Sequence, residues 1–182
     1  MYGISGGKVH RQLASTNGAI QQAFPALVFK PILREAMRGM PNFSQGRVYE
    51  EKAFCSLLKS ESKRSESSGH FCQIFLLYRT DVKGRIAQMD PHIATIVIGA
   101  LARSLRETDY IGWYRADRVI GAVLTVLTLE SMAHVASHLQ KRLAEILQSE
   151  LSVEESRRLQ IRVFLPGELE GFELEEKAVS LG

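Results

Sequence analysis

The stretch Leu105 to Leu127, LRETDYIGWYRADRVIGAVLTVL, decides how this chain is read. Tyr110–Tyr114 is aromatic and β-branched, and Arg118–Leu127 is a longer apolar run. The polar residues between them suit a tight turn, so the two runs read as a β-hairpin. Just ahead of the hairpin, Arg106-Glu107-Thr108-Asp109 closes an apolar, helix-like segment. The turn itself is Arg115-Ala116-Asp117-Arg118-Val119. These two short polar clusters are the places on the hairpin where chemistry is expected.

Outward from the hairpin the pattern is regular. Upstream, Asp90 is placed to N-cap a helix with Pro91 in its first turn, running to about Arg106. Before it, Phe71–Tyr78 (FCQIFLLY) reads as a buried strand between Gly69 and the polar stretch Arg79–Arg85. Val48, Phe54, Leu57 and Leu58 recur at roughly helical spacing, which predicts an amphipathic helix over Tyr49–Glu66, stopped by Ser67-Ser68-Gly69. Downstream, Thr128 caps a helix over Leu129–Ser149, whose apolar face includes Met132, Val135, Leu139, Leu143 and Leu147. Leu159–Leu165 (LQIRVFL) alternates as a half-exposed strand, ended by Pro166-Gly167. The expected class is therefore α+β: a ferredoxin-like βαββαβ sandwich, an antiparallel sheet with helices on one face.

Three segments are expected. Residues 1–46 read as a Gly- and Ser-rich arm with short helices, residues 47–167 as the domain, and residues 168–182 as an acidic, mobile tail. A single unit of this length buries roughly 70% of its unfolded surface, enough for a core. Lys plus Arg number 23 and Asp plus Glu 20, so the +3 charge offers no broad polyanion-binding face, and nucleic acid is not an expected partner. Cys55 and Cys72 read as buried free thiols; no Cys/His spacing suggests zinc, and neither metal nor cofactor is expected. The longest apolar runs, Ile93–Ala102 and Val119–Leu127, are too short to span a bilayer, and no secretion signal is visible, so the expected location is the cytoplasm. His134 and His138 stand at i,i+4, but without a third ligand they read as surface residues.

The residues resemble the GGDEF domain of bacterial diguanylate cyclases, a nucleotide-cyclase fold, over about residues 47–165. The leading helix carries F-x-x-L-L-x-x-E-x-x-R as Phe54, Leu57, Leu58, Glu61 and Arg64. Leu101-x-x-x-Leu105-Arg106-x-x-Asp109, the hairpin and the helix after it follow in order. In that family the hairpin turn is Gly-Gly-acid-acid-Phe. Glycines admit the GTP backbone-close, and the acids with a strand-end aspartate bind Mg²⁺. Here Arg115 and Ala116 stand at the glycine positions, Asp117 keeps one acid, and Arg118 reverses the charge of the other. Asp81 is the one carboxylate near the end of the first strand, and the family's Phe-Lys-x-Ile-Asn-Asp segment and Gly-His pair are absent. The resemblance thus implies a catalytically inactive signalling module.

It also implies a ligand. In the family an R-x-x-D five residues before the signature forms an inhibitory site for cyclic di-GMP, and Arg106 and Asp109 keep that spacing. Arginine suits guanine and phosphate by its bidentate fork, and aspartate accepts from guanine N1–H and N2–H. The competing reading is an exposed i,i+3 ion pair at a helix end. Two other functions stay open: an interaction or scaffold module, binding a partner protein or a second copy without nucleotide, and a divergent nucleotide-processing enzyme using Asp81 and Asp117.

Overall fold

The computed structural model describes residues 48–172, and the arm expected over residues 1–46 lies outside them. The elements run β1 (Val48–Tyr49), α1 (Glu51–Ser68), β2 (Phe71–Thr80), β3 (Ile86–Ala87), α2 (Pro91–Ser104) and β4 (Tyr110–Arg115). After the hairpin turn come β5 (Val119–Leu127), α3 (Leu129–Glu150), α4 (Val153–Arg158) and β6 (Leu159–Phe164). Strands β4, β5, β2 and β6 lie side by side in that order, every neighbouring pair antiparallel. That is the split βαβ arrangement expected from the sequence, with α2 and α3 as its two crossovers. The two-residue β1 adds to β4 in parallel, and β3 pairs with the last two residues of β2.

Local chemistry sets most boundaries. Asp90 accepts the His92 N–H at 2.8 Å and Pro91 opens α2. Thr128 and Ser131 form a reciprocal cap at the start of α3. Gly69 ends α1 in the left-handed conformation at φ 69°, open to a residue without Cβ. Among the short elements, β1, β3 and α4 escape the sequence pattern. Helix α4 opens on a Ser152/Glu155 capping box between the long helix and the last strand.

Central strand β2 is buried on both faces, which is why it reads as an unbroken apolar run rather than an alternation. Phe75 and Leu77 point toward α2 and α3, joining Val97, Ile98, Leu101, Leu139 and Leu143 in the larger core. Ile74, Leu76 and Tyr78 point the other way, into a second core with Phe54 and Leu58 of α1. The crossover helices share one face, as expected, and the leading helix covers the opposite face. Phe172 completes this second core: 4% exposed, it packs its ring against Tyr78, Tyr114 and Phe164. The sequence placed Phe172 in an acidic tail, yet its aromatic ring is enough to fold the chain back onto the sheet.

The docking of α1 depends on a glycine pair. Gly112 and Gly121 face each other across β4 and β5, and the Phe54 ring sits over both. A Cβ on Gly112 would lie 2.6 Å from that ring, and one on Gly121 2.5 Å. Neither glycine has a positive φ, so what they supply is space rather than unusual backbone. Gly112→Ala or Gly121→Ala should lower unfolding stability by about 1–3 kcal/mol through overpacking. Phe54→Ala should cost about 3–5 kcal/mol. Urea denaturation midpoints check both, and unchanged midpoints would contradict this packing.

Both cysteines are free thiols, Cys72 buried and Cys55 half-buried with its Sγ against the Tyr114 carbonyl. Burial, with the Glu61 carboxylate adding to it, pushes the Cys72 thiol up to about 11. Thiolate is the reactive form, so Cys72 should resist a disulfide reagent at pH 8 until the protein is unfolded. Rapid labelling of Cys72 in the native protein would contradict its placement.

Candidate functional site

The hairpin separates the two polar clusters singled out from the sequence. Asp109 precedes the first residue of β4 and the Arg115–Val119 turn begins at its last. At ~3.3 Å per strand residue the clusters lie on the order of 20 Å apart. They are two separate clusters, not one.

At the first, α2 ends with the Leu105 N–H donating to the Leu101 carbonyl at 2.9 Å. The chain then turns through Arg106–Asp109, closed by the Asp109 N–H donating to the Arg106 carbonyl at 3.1 Å. Each carboxylate oxygen of Asp109 accepts one backbone N–H: Oδ2 from Arg106 at 3.0 Å and Oδ1 from Thr125 at 3.1 Å. Thr125 Oγ1 in turn donates to the Thr108 carbonyl at 3.1 Å. The loop is thereby stapled to β5 near its end. The simple i,i+3 ion pair is replaced by a tighter device: Asp109 binds the backbone of Arg106, and the Arg106 guanidinium has no ion-pair partner among the described residues.

Arg106 and Asp109 line a concave pocket of about 310 Å³ between this loop and α3. Its floor is apolar, from Leu105, Leu124, Leu127, Val135 and Leu139. Its far wall is basic: His134, His138 and Arg142, all exposed, stand on one stripe of α3. Arg142 is anchored, its Nη2 donating to the Arg103 carbonyl at 2.8 Å at the end of α2, while Arg103 pairs with Glu150 at 2.5 Å. Two arginines against one aspartate leave the lining at a net +1 with neutral histidines. From the sequence alone His134 and His138 read as plain surface residues, and Arg142 does not stand out. The available signal was the 134/138/142 spacing, which at i, i+4, i+8 puts three basic side chains on one helix edge.

At the second site the turn is closed by its own chain. The Arg118 N–H donates to the Arg115 carbonyl at 3.1 Å, and Asp117 takes the left-handed conformation at φ 58°, which aspartate tolerates. The Ala116 N–H donates to Glu51 Oε2 at 2.6 Å, and the Asp117 carbonyl accepts the Met89 N–H at 2.8 Å. The Arg115 guanidinium lies 6.0 Å from the Phe172 ring centre. Val119 is fully buried and pairs with Tyr78 of β2, which brings the end of β2, and Asp81 just beyond it, to the same end of the sheet.

Asp81 is committed there to its own loop. Oδ1 accepts the backbone N–H groups of Lys83 at 2.8 Å and Arg85 at 2.9 Å, and Oδ2 accepts Arg85 Nε at 2.9 Å. The Arg85 backbone N–H leads these contacts in holding the Asp81 carboxyl below its ordinary range. Among the described residues no group of three His, Cys, Asp or Glu could hold a metal ion. No helix of the described residues is long and apolar enough to cross a membrane.

Known proteins match this architecture in structure only. A DGC protein from Thermotoga maritima superposes with a TM-score of 0.51 at 15% identity, over 74% of this chain and 97% of that one. Diguanylate cyclase SiaD from Pseudomonas aeruginosa, solved with its activator SiaC, gives 0.45 at 15% identity over 72% of this chain and 53% of that one. The GGDEF domain of DgcB from Caulobacter crescentus, solved with c-di-GMP, gives 0.43 at 12% identity over 68% and 77%. No protein-family model and no curated protein matches the sequence. The chain has a GGDEF-like nucleotide-cyclase fold.

Replacing Asp109 by alanine should leave two backbone N–H groups without their charged acceptor and cost about 1.5–3 kcal/mol. The same change should raise hydrogen exchange at the Arg106 and Thr125 amides. Exchange that stays at the wild-type rate at both would contradict the staple.

Proposed function

We propose that this chain is a GGDEF-like signalling module that makes no cyclic dinucleotide and binds cyclic di-GMP in the pocket of Arg106 and Asp109. One observation carries the proposal: an arginine with no ion-pair partner among the described residues and a backbone-fixed aspartate open together onto one apolar-floored pocket. Each Asp109 oxygen uses one acceptor position on the backbone and keeps another, so the pair can take guanine N1–H and N2–H. Arg106 reaches guanine O6 and N7 or a phosphate through its planar fork. The apolar floor suits a base face, and about 310 Å³ suits one guanylyl half of the ligand.

The hairpin turn supports the other half of the proposal. Side chains at Arg115 and Ala116 occupy the places where a phosphate would have to meet bare backbone, and Arg118 puts a cation where Mg²⁺ needs an acid. Glu51 already engages the Ala116 N–H, and Asp81 is saturated by its own loop. Metal-assisted phosphoryl transfer needs several converging carboxylates.

Calorimetric titration of cyclic di-GMP should show saturable binding that Arg106→Ala weakens at least tenfold without lowering the melting temperature. Absence of heat at high micromolar ligand would favour the module that binds only a protein partner. Incubation with GTP and Mg²⁺ or Mn²⁺ should yield no cyclic product; its appearance would restore the enzyme reading.

A further inference from the structure

The basic wall of the pocket has a property that Arg106 and Asp109 do not require. His134 and His138 sit one helical turn apart on α3 and face the same cavity as Arg106. The charged groups lining it with them are Arg106 and Asp109 from the loop and Arg142 from α3. The end of α2 and strand β5 contribute only Ser104, Leu124 and Leu127, and on the histidines' own helix Glu130 precedes His134 by one turn. Imidazole is the side chain that gains charge on acidification through the physiological range, where a guanidinium keeps its own. Protonation of both histidines takes the lining from +1 to +3.

We infer that His134 and His138 make this pocket a proton-gated phosphodiester site, in which ligand affinity rises as pH falls through the histidine range. The inference rests on the assignment of a dinucleotide to the Arg106/Asp109 pocket and adds its regulation. The sign follows from linkage: an anion between the walls favours the imidazolium form, so the protonated histidines favour the anion equally. A cyclic dinucleotide suits the test because its phosphodiesters keep their charge across this pH range, leaving the protein as the titrating partner. Both histidines are exposed on a helix edge, so replacing them should leave the core intact.

The test measures affinity at pH 5.5, 6.5, 7.5 and 8 for cyclic di-GMP and, in parallel, cyclic di-AMP, which shares the phosphates without the guanine edge. Wild-type affinity should fall roughly tenfold from pH 5.5 to 8, a size ordinary for the coupling of two binding events. In the double variant His134→Gln with His138→Gln the change should shrink below about twofold. In His134→Lys with His138→Lys the affinity should stay near the wild-type pH 5.5 value throughout, which separates lost charge from damaged structure. A flat wild-type profile, or a slope that survives both double variants, overturns the inference. Sloped binding of cyclic di-AMP with none of cyclic di-GMP upholds the proton gate and overturns the guanine assignment. No binding of either at pH 5.5 overturns both.

Discussion

The ring of Phe54, seated over Gly112 and Gly121, is the contact on which the arrangement depends. It fixes α1 against the β4–β5 hairpin, and the hairpin carries everything of functional interest at one end or the other. The fit is steric: at 2.5–2.6 Å from a Cβ there is no room for any residue but glycine at either position without displacing the ring. One helical turn before Phe54, Glu51 is brought over the hairpin turn and accepts the Ala116 N–H. Docking the helix and closing the turn are thus one event.

The two ends of the hairpin differ in how their charged groups are matched. At the turn, backbone donors and carboxylates are matched within the chain: Glu51 with Ala116, and Asp81 with Lys83 and Arg85. At the other end a carboxylate also meets backbone, but there the match leaves cations over. Asp109 holds the loop, Arg106 projects from it, and α3 adds Arg142 and two histidines across an apolar floor. A structural aspartate and a pocket-facing arginine in the same tetrad are compatible because the carboxylate acts through one acceptor position per oxygen and the arginine through its side chain.

Much of the fold was legible because local chemistry and burial pattern agreed. Asp90 with Pro91, Thr128 before α3, and Gly69 after α1 marked helix ends that the structure keeps. The runs at β2 and β5 were long and apolar enough to be strands. What escaped depends on partners distant in sequence or on very short elements. The pairing of Val48–Tyr49 with Ile111–Gly112 makes Tyr49, the expected first helical residue, part of a strand, and nothing in the local spacing announces it. Helix α4 did carry a readable Ser-x-x-Glu cap, but six residues give too little periodicity to register. Phe172 looked like part of a polar tail because its burial comes from Tyr78, Tyr114 and Phe164, far up the chain. For the site, the tetrad was visible in sequence, whereas the Thr125 contact that fixes Asp109 requires the hairpin register. The α3 stripe was legible in principle and was masked by the apolar face beside it.

The central claim is that nucleotide contact belongs to the Arg106 end of the hairpin and not to its turn. Amide chemical-shift mapping by NMR during a cyclic di-GMP titration tests this most directly. Shifts should cluster at residues 104–109 and 134–142, with the amides of residues 115–118 unmoved. Shifts centred on Arg115–Arg118, or none anywhere at saturating ligand, would contradict it.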